Sequence, residues 1–180
     1  MSKETREKIF LAAARIINEQ TVDNMTLEEV ASEAGISKGG LLYHFPTKED
    51  LVEGLVNYYE TLFNQELEKE IEKLSGNRDR PLTAYVNATF NFSSLSHQIS
   101  QGVIAASVYY PDLLAPVQKR LANFTTQYSR HIKDEDLAKV IRLAADGLWL
   151  EEIMELNTLT SEEKSKIKEK LNQLAEEVEV

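Results

Sequence analysis

Between Ser37 and Lys48 the chain reads S-K-G-G-L-L-Y-H-F-P-T-K, with two lysines, a histidine, a tyrosine and two adjacent glycines, and no carboxylate. The rest of the chain is acidic, with 20 Lys and Arg against 30 Asp and Glu and a formal net charge of −10. Cations gathered where no carboxylate opposes them suit contact with phosphate, which a carboxylate would repel. Glycines let a backbone come close to another body, and free helix N–H groups favour an anion. Lys48 falls at a predicted helix start, where the dipole disfavours a cation. A phosphate partner accounts for its presence.

Other chemistry has little to stand on. Cysteine is absent from the 180 residues, which excludes disulfides, thiol catalysis and thiolate metal sites. There is no Gly-rich phosphate loop and no His-Glu-x-x-His, and none of the three histidines follows a glutamate by three residues. Glu151, Glu152 and Glu155 read as a solvated acidic face. We therefore expect no catalytic residues, no metal and no cofactor. The charged start, MSKETREKIF, lacks an apolar signal region, and no run is long and apolar enough to span a membrane. A cytoplasmic protein is expected. The acidity also argues against a nonspecific coat on nucleic acid, since residues 1–50 hold six Lys and Arg against nine Asp and Glu.

The elements that must position the acid-free segment are helices. Few glycines and prolines, with 42% hydrophobic and 28% charged residues, point to a folded all-α chain of about nine helices. Ser2 to Glu19 carries Ile9, Ala12, Ala13, Ile16 and Ile17 at helical spacing. Thr26 and Glu29 form a capping box for a second helix, which Gly35 stops. Ser37 caps a short third helix ending near His44, with Leu41 and Phe45 as its buried mounts. Thr47, with Asp50, caps a fourth that runs to about Leu74. Two capped helices joined by a Gly-containing turn are a helix-turn-helix signature, whose third helix would be the reader.

The run Ala31-x-x-Ala34-Gly35-Ile36-Ser37-Lys38-Gly39, then Leu41, His44-Phe45 and Lys48-Glu49-x-Leu51, resembles the DNA-binding domain of the TetR family of transcriptional regulators. The resemblance covers residues 5–55. It implies a DNA-binding domain over 1–47 and an effector-binding and dimerisation domain over 48–180. It also implies a DNA-facing set of Thr26, Ser37, Lys38, Gly39, Gly40, Leu42, Tyr43, His44 and Lys48. One departure stands out: the family's phosphate-contacting Tyr lies three residues before the Phe, where this chain has Leu42, with Tyr43 one residue later. The implied partners are a palindromic double-stranded operator, a small-molecule effector that releases a repressor from it, and a second copy of the chain. The alternative is a helical scaffold that binds no DNA.

Beyond a loop at 75–81, helices are expected near 82–97, 99–109, 112–130, 136–157 and 161–177, with Pro111 in a first turn. Aromatic and polar residues interleave here, as a ligand pocket requires. The candidates are Phe90, Ser94, His97, Gln98, Tyr109, Phe124 and Tyr128, with Asn91, Ser94, His97 and Gln98 as one polar band on the fifth helix. Ordinary core packing is the other reading of these residues. For the dimer, Ala144, Gly147 and Leu148 on the eighth helix would join Ile167, Leu171 and Leu174 on the ninth in a four-helix contact. Packing within one chain is again the alternative.

Overall fold

The computed structural model describes residues 2–74, 80–92, 94–156 and 158–179, and within these the side chains of all but residues 94–95 and 125–129. The described residues form nine α-helices and two short 3₁₀ turns, with one isolated bridge between Ile132 and Glu179. The helices are α1 Lys3–Gln20, α2 Leu27–Glu33, α3 Lys38–His44, α4 Lys48–Lys73, α5 Pro81–Asn91, α6 Ser94–Ser107, α7 Ala115–Tyr128, α8 Glu135–Ile153 and α9 Ser161–Val178. They belong to two compact units, residues 1–61 with 93–118 and residues 62–92 with 119–180. The candidate loop at 75–81 lies mostly outside the described residues.

The first unit is built on α1. Ser2 caps it by accepting from the Thr5 amide, and Ile9, Phe10, Ala13 and Ile17 are buried along its inner face. Thr21 ends the helix at φ 79°, ψ 157°, a region that a β-branched residue occupies only under strain. Thr26 and Glu29 close the expected capping box of α2, and Gly35 takes φ 68° in the turn after it. A side chain on Gly54 would come within 2.7 Å of the Phe45 ring and 3.0 Å of the Phe10 ring, so α4 enters by close contact. Gly102 of α6 likewise leaves room for Ala14, whose Cα and Cβ a side chain there would meet at 2.8 Å. Thus α6, far along the sequence, is seated on the first helix.

In the second unit, Tyr85 of α5 packs between Phe63 and Phe124, with ring centroids 5.5 and 4.7 Å away. Leu82, Ile141, Ala145 and Ala175 complete a core shared by α5, α8 and α9. Neither Arg80 nor Pro81 caps α5. Glu179, ninety-six residues on, supplies the cap: its carboxylate accepts from the Leu82 amide at 2.6 Å, the Thr83 amide at 3.2 Å and the Thr83 hydroxyl at 2.6 Å. Burial nevertheless holds its pKa above the ordinary carboxylate value.

Helix boundaries in the body depart from expectation. The helix expected over 82–97 is two, because Phe92 turns extended at ψ 122°. Neither glycine nor proline marks that break, and the apolar spacing runs through it. The helix expected from 112 begins instead as a 3₁₀ turn, Pro111–Leu114, and α8 stops at Ile153, where Glu155 takes a left-handed φ of 55°.

Candidate nucleic-acid interface

Helix α3 has one buried edge and one bare face. Leu41 is 0% exposed and Phe45 8%, with the Phe45 ring edge-on to Phe10 at 5.6 Å. Ser37 caps the helix by accepting from the Gly40 amide at 3.1 Å. Facing solvent are Ser37, Lys38, Gly39, Gly40, Tyr43 and His44. Nothing lies within 4 Å of a side chain built on Gly39, and its backbone stays out of the positive-φ region. Glycine in a helix costs about 0.5–1 kcal/mol relative to alanine. No contact within the chain calls for it here.

Tyr43 is 83% exposed and meets His44 edge-on at 4.9 Å, whereas Leu42 is half-buried. The aromatic hydroxyl thus stands one residue after the position the resemblance implies. Thr26 makes the expected capping box: its hydroxyl and amide both donate to the Glu29 carboxylate, at 2.8 and 2.9 Å. Those bonds hold Glu29 below the usual carboxylate range. The Thr26 side chain thereby fixes the start of α2.

The two lysines are also engaged. Lys48 Nζ donates to the backbone oxygens of Asp23 at 2.7 Å and Val22 at 3.4 Å, in the turn between α1 and α2. That contact offsets its unfavourable place at a helix start and was not expected from sequence, since backbone carbonyls carry no sequence signal. Lys38 Nζ donates to Glu28 Oε2 at 2.7 Å. Glu28 lies outside the acid-free stretch in sequence yet brings a carboxylate to its edge in space.

The other candidates fall in both units. Phe124 is buried in the core of the second unit and Phe90 packs half-buried against it. His97 and Gln98, half-buried, and Tyr109, 41% exposed, belong to the first unit. The side chains of Ser94 and Tyr128 lie outside the described residues. The polar band expected on one helix is divided between two, with Asn91 ending α5 and His97 and Gln98 on α6. Asn91 instead donates to Glu70 at 3.2 Å and accepts from Lys168 at 2.8 Å.

The dimer candidates divide in the same way. Leu171 is 7% exposed within its own unit, and Ala144, Leu148, Ile167 and Leu174 lean on that same core. Leu171 is thus buried within its own unit, while Ala144, Leu148, Ile167 and Leu174 are half-buried beside that core. Gly147 is exposed. It belongs to a different stripe, with Val140, Leu143 and Leu150 on α8 and Met154 just past its end, which are 60, 58, 40 and 55% exposed. Their spacing of three, four, three and four is that of a helix–helix seam.

A capped helical pair presenting a short, carboxylate-free helix on an otherwise acidic chain defines a helix-turn-helix transcriptional regulator. Residues 9–55 match the family model described as bacterial regulatory proteins, tetR family, and residues 79–176 match that of the tetracyclin repressor-like C-terminal domain. The chain belongs to the TetR family of regulators. It is 40% identical to the transcriptional repressor BepR of Brucella suis over 53 residues, 29% of this chain and a quarter of that protein. It is 25% identical to the regulator BetI of Serratia proteamaculans over 156 residues, 81% of this chain and 79% of that one. A solved complex of SmeT with triclosan shares the fold at a TM-score of 0.66 and 16% identity, covering 98% of this chain and 92% of that one. No helix among the described residues is long and apolar enough to cross a membrane.

Proposed function

We propose that the protein is a cytoplasmic, dimeric repressor that occupies a palindromic operator and is released by a small molecule. The carrying observation is the division of α3 into a buried mount, Leu41 and Phe45, and a bare face from Ser37 to His44. Residues 1–47 read the duplex, with Ser37, Lys38, Gly39, Gly40, Tyr43 and His44 facing it, and residues 48–180 carry the effector and the second copy. Two reader helices about 34–36 Å apart would enter successive major grooves.

The second copy is assigned to the exposed α8 stripe of Val140, Leu143, Gly147, Leu150 and Met154. An apolar seam repeated at heptad spacing is self-complementary about a two-fold axis, and Gly147 at its middle allows close approach. Val140, Leu143, Leu150 and Met154 are large apolar side chains that the chain's own fold leaves in water.

For the effector, SmeT with triclosan supplies the precedent of a small aromatic ligand in this fold. His97 and Gln98 on α6 are the polar candidates. Since Gly102 of the same helix rests on Ala14 of α1, a ligand that prefers one α6 position acts on the reading module through direct contact. It lowers DNA affinity by its differential binding, and DNA lowers its affinity equally.

Sedimentation together with selection from a randomised duplex pool at low ionic strength tests the proposal. The expected result is a dimer at micromolar concentration that enriches a palindromic site. A monomer that retains no duplex would overturn it and leave the scaffold reading.

A further inference from the structure

Glu28 and Glu29 are adjacent carboxylates at the start of α2 with different employment. Glu29 is consumed by the capping box. Glu28 reaches across to α3, where its Oε2 accepts from Lys38 Nζ at 2.7 Å, and its Oε1 has no hydrogen-bond partner among the described residues. The two side chains are 72 and 54% exposed. An ion pair so open to water contributes little to stability, typically below about 1 kcal/mol. In a regulator it has a cost besides, because Glu28 cancels a cation on the face that meets phosphate.

The pair is nevertheless a donor beside an acceptor, held at hydrogen-bond distance. The major-groove edge of a base pair presents the complement: an amino group next to a keto oxygen, hydrogen-bonded to each other at about 2.9 Å. A carboxylate on the amino group and an ammonium on the keto oxygen fix which strand carries which base. Guanine suits the ammonium better than thymine, offering N7 beside O6 where thymine offers a methyl group beside O4. Lys38 retains two N–H donors for those acceptors, and Glu28 retains Oε1 for the amino group.

We propose that Glu28 and Lys38 together form a base-reading pair, with the ammonium on guanine O6 and N7 and the carboxylate on the 4-amino group of the paired cytosine. The inference rests on the DNA-reading function proposed above and adds to it a specificity-determining residue that lies outside the acid-free segment. Glu28 also weakens binding to unrelated duplex, since its charge opposes phosphate and offsets that of Lys38 wherever no amino group meets its free Oε1.

The test is selection from a randomised duplex pool with the unaltered protein, Glu28→Ala and Lys38→Met, followed by titration of the selected duplex. The unaltered protein should enrich a G·C pair at symmetric positions of the two half-sites. Glu28→Ala, which has no acceptor to offer, should lower the preference at that position about 10- to 100-fold while leaving other positions alone, and Lys38→Met should lower it likewise. Glu28→Ala should also bind unselected duplex more tightly, with a salt slope steeper by about one unit. A selected duplex whose cytosine lacks the 4-amino group should bind the unaltered protein more weakly and Glu28→Ala equally well. Both side chains are exposed, so thermal unfolding should stay close to that of the parent. If the parent enriches a site and Glu28→Ala enriches the same one with the same base preferences, the pair does not read bases and the regulator reading stands. If the parent enriches nothing, the regulator reading itself fails.

Discussion

Replacing Gly39 by alanine should move stability and DNA binding in opposite directions. The residue lies in α3 at ordinary helical φ, and an added Cβ finds no atom within 4 Å. Alanine removes conformational freedom from the unfolded chain and favours the helix, a gain of about 0.5–1 kcal/mol. For a chain of this length that raises Tm by about 1–4 °C. The new methyl points to where the duplex backbone must approach, and forcing a methyl into a close-packed contact costs about 1–3 kcal/mol, roughly 5- to 150-fold in Kd. Calorimetry and fluorescence anisotropy on a pool-selected duplex measure the two effects on one sample. Gly40 serves as the contrast, since its added Cβ would meet the capping Ser37 Oγ at 3.0 Å and the stability gain should shrink or vanish. A Gly39→Ala protein that is more stable and binds DNA as well as the parent would refute the close approach. One that is less stable would refute the geometry assigned to α3.

Thr21→Gly should stabilise the protein by about 1 kcal/mol in denaturant titration, because strain at φ 79° outweighs the entropy of glycine. Lys48→Met should destabilise it by about 1–2 kcal/mol through loss of the bonds to Val22 and Asp23, while also reducing the salt slope of binding by about one unit; an unchanged slope would make Lys48 purely structural. Leu143→Glu should yield folded monomers in sedimentation, whereas Leu171→Glu, a charge placed in the core, should fail to fold. The carboxyls of Asp146 and Glu179 are both raised by burial above their ordinary values. A raised acid keeps its full stabilisation below the unfolded value and loses it as pH rises through the folded one, so the contribution of these two groups to stability should fall upward from about pH 4–5. Glu179→Gln keeps acceptor and shape but does not titrate, and should flatten that part of the profile.

The reader was legible because its determinants are local. Thr26 with Glu29, Gly35, Ser37 and Thr47 with Asp50 are caps and stops that act within four residues, and the limits of α2 and the starts of α3 and α4 follow from them. The body was less legible because its punctuation is distant. Phe92 ends α5 without glycine or proline, and the cap of that helix comes from Glu179, which no local pattern connects to Leu82 and Thr83. Likewise nothing near Gly102 names Ala14 as the neighbour that requires it.

The same distinction separates the two stripes of α8. Ala144 and Leu148, and equally Val140, Leu143, Gly147, Leu150 and Met154, recur at helical spacing, so periodicity alone recommends both faces. The choice between them depends on which face α5 and α9 cover, a tertiary fact. Once Ala145 and Ile141 are buried beneath those helices, the face at 140, 143, 147, 150 and 154 is left in water. Five residues at seam spacing, uncovered and centred on a glycine, form an unusual surface for a chain with 28% charged residues. Polar residues there would have cost the monomer nothing. Their absence is the argument for a second copy, and it is independent of anything inferred about α3.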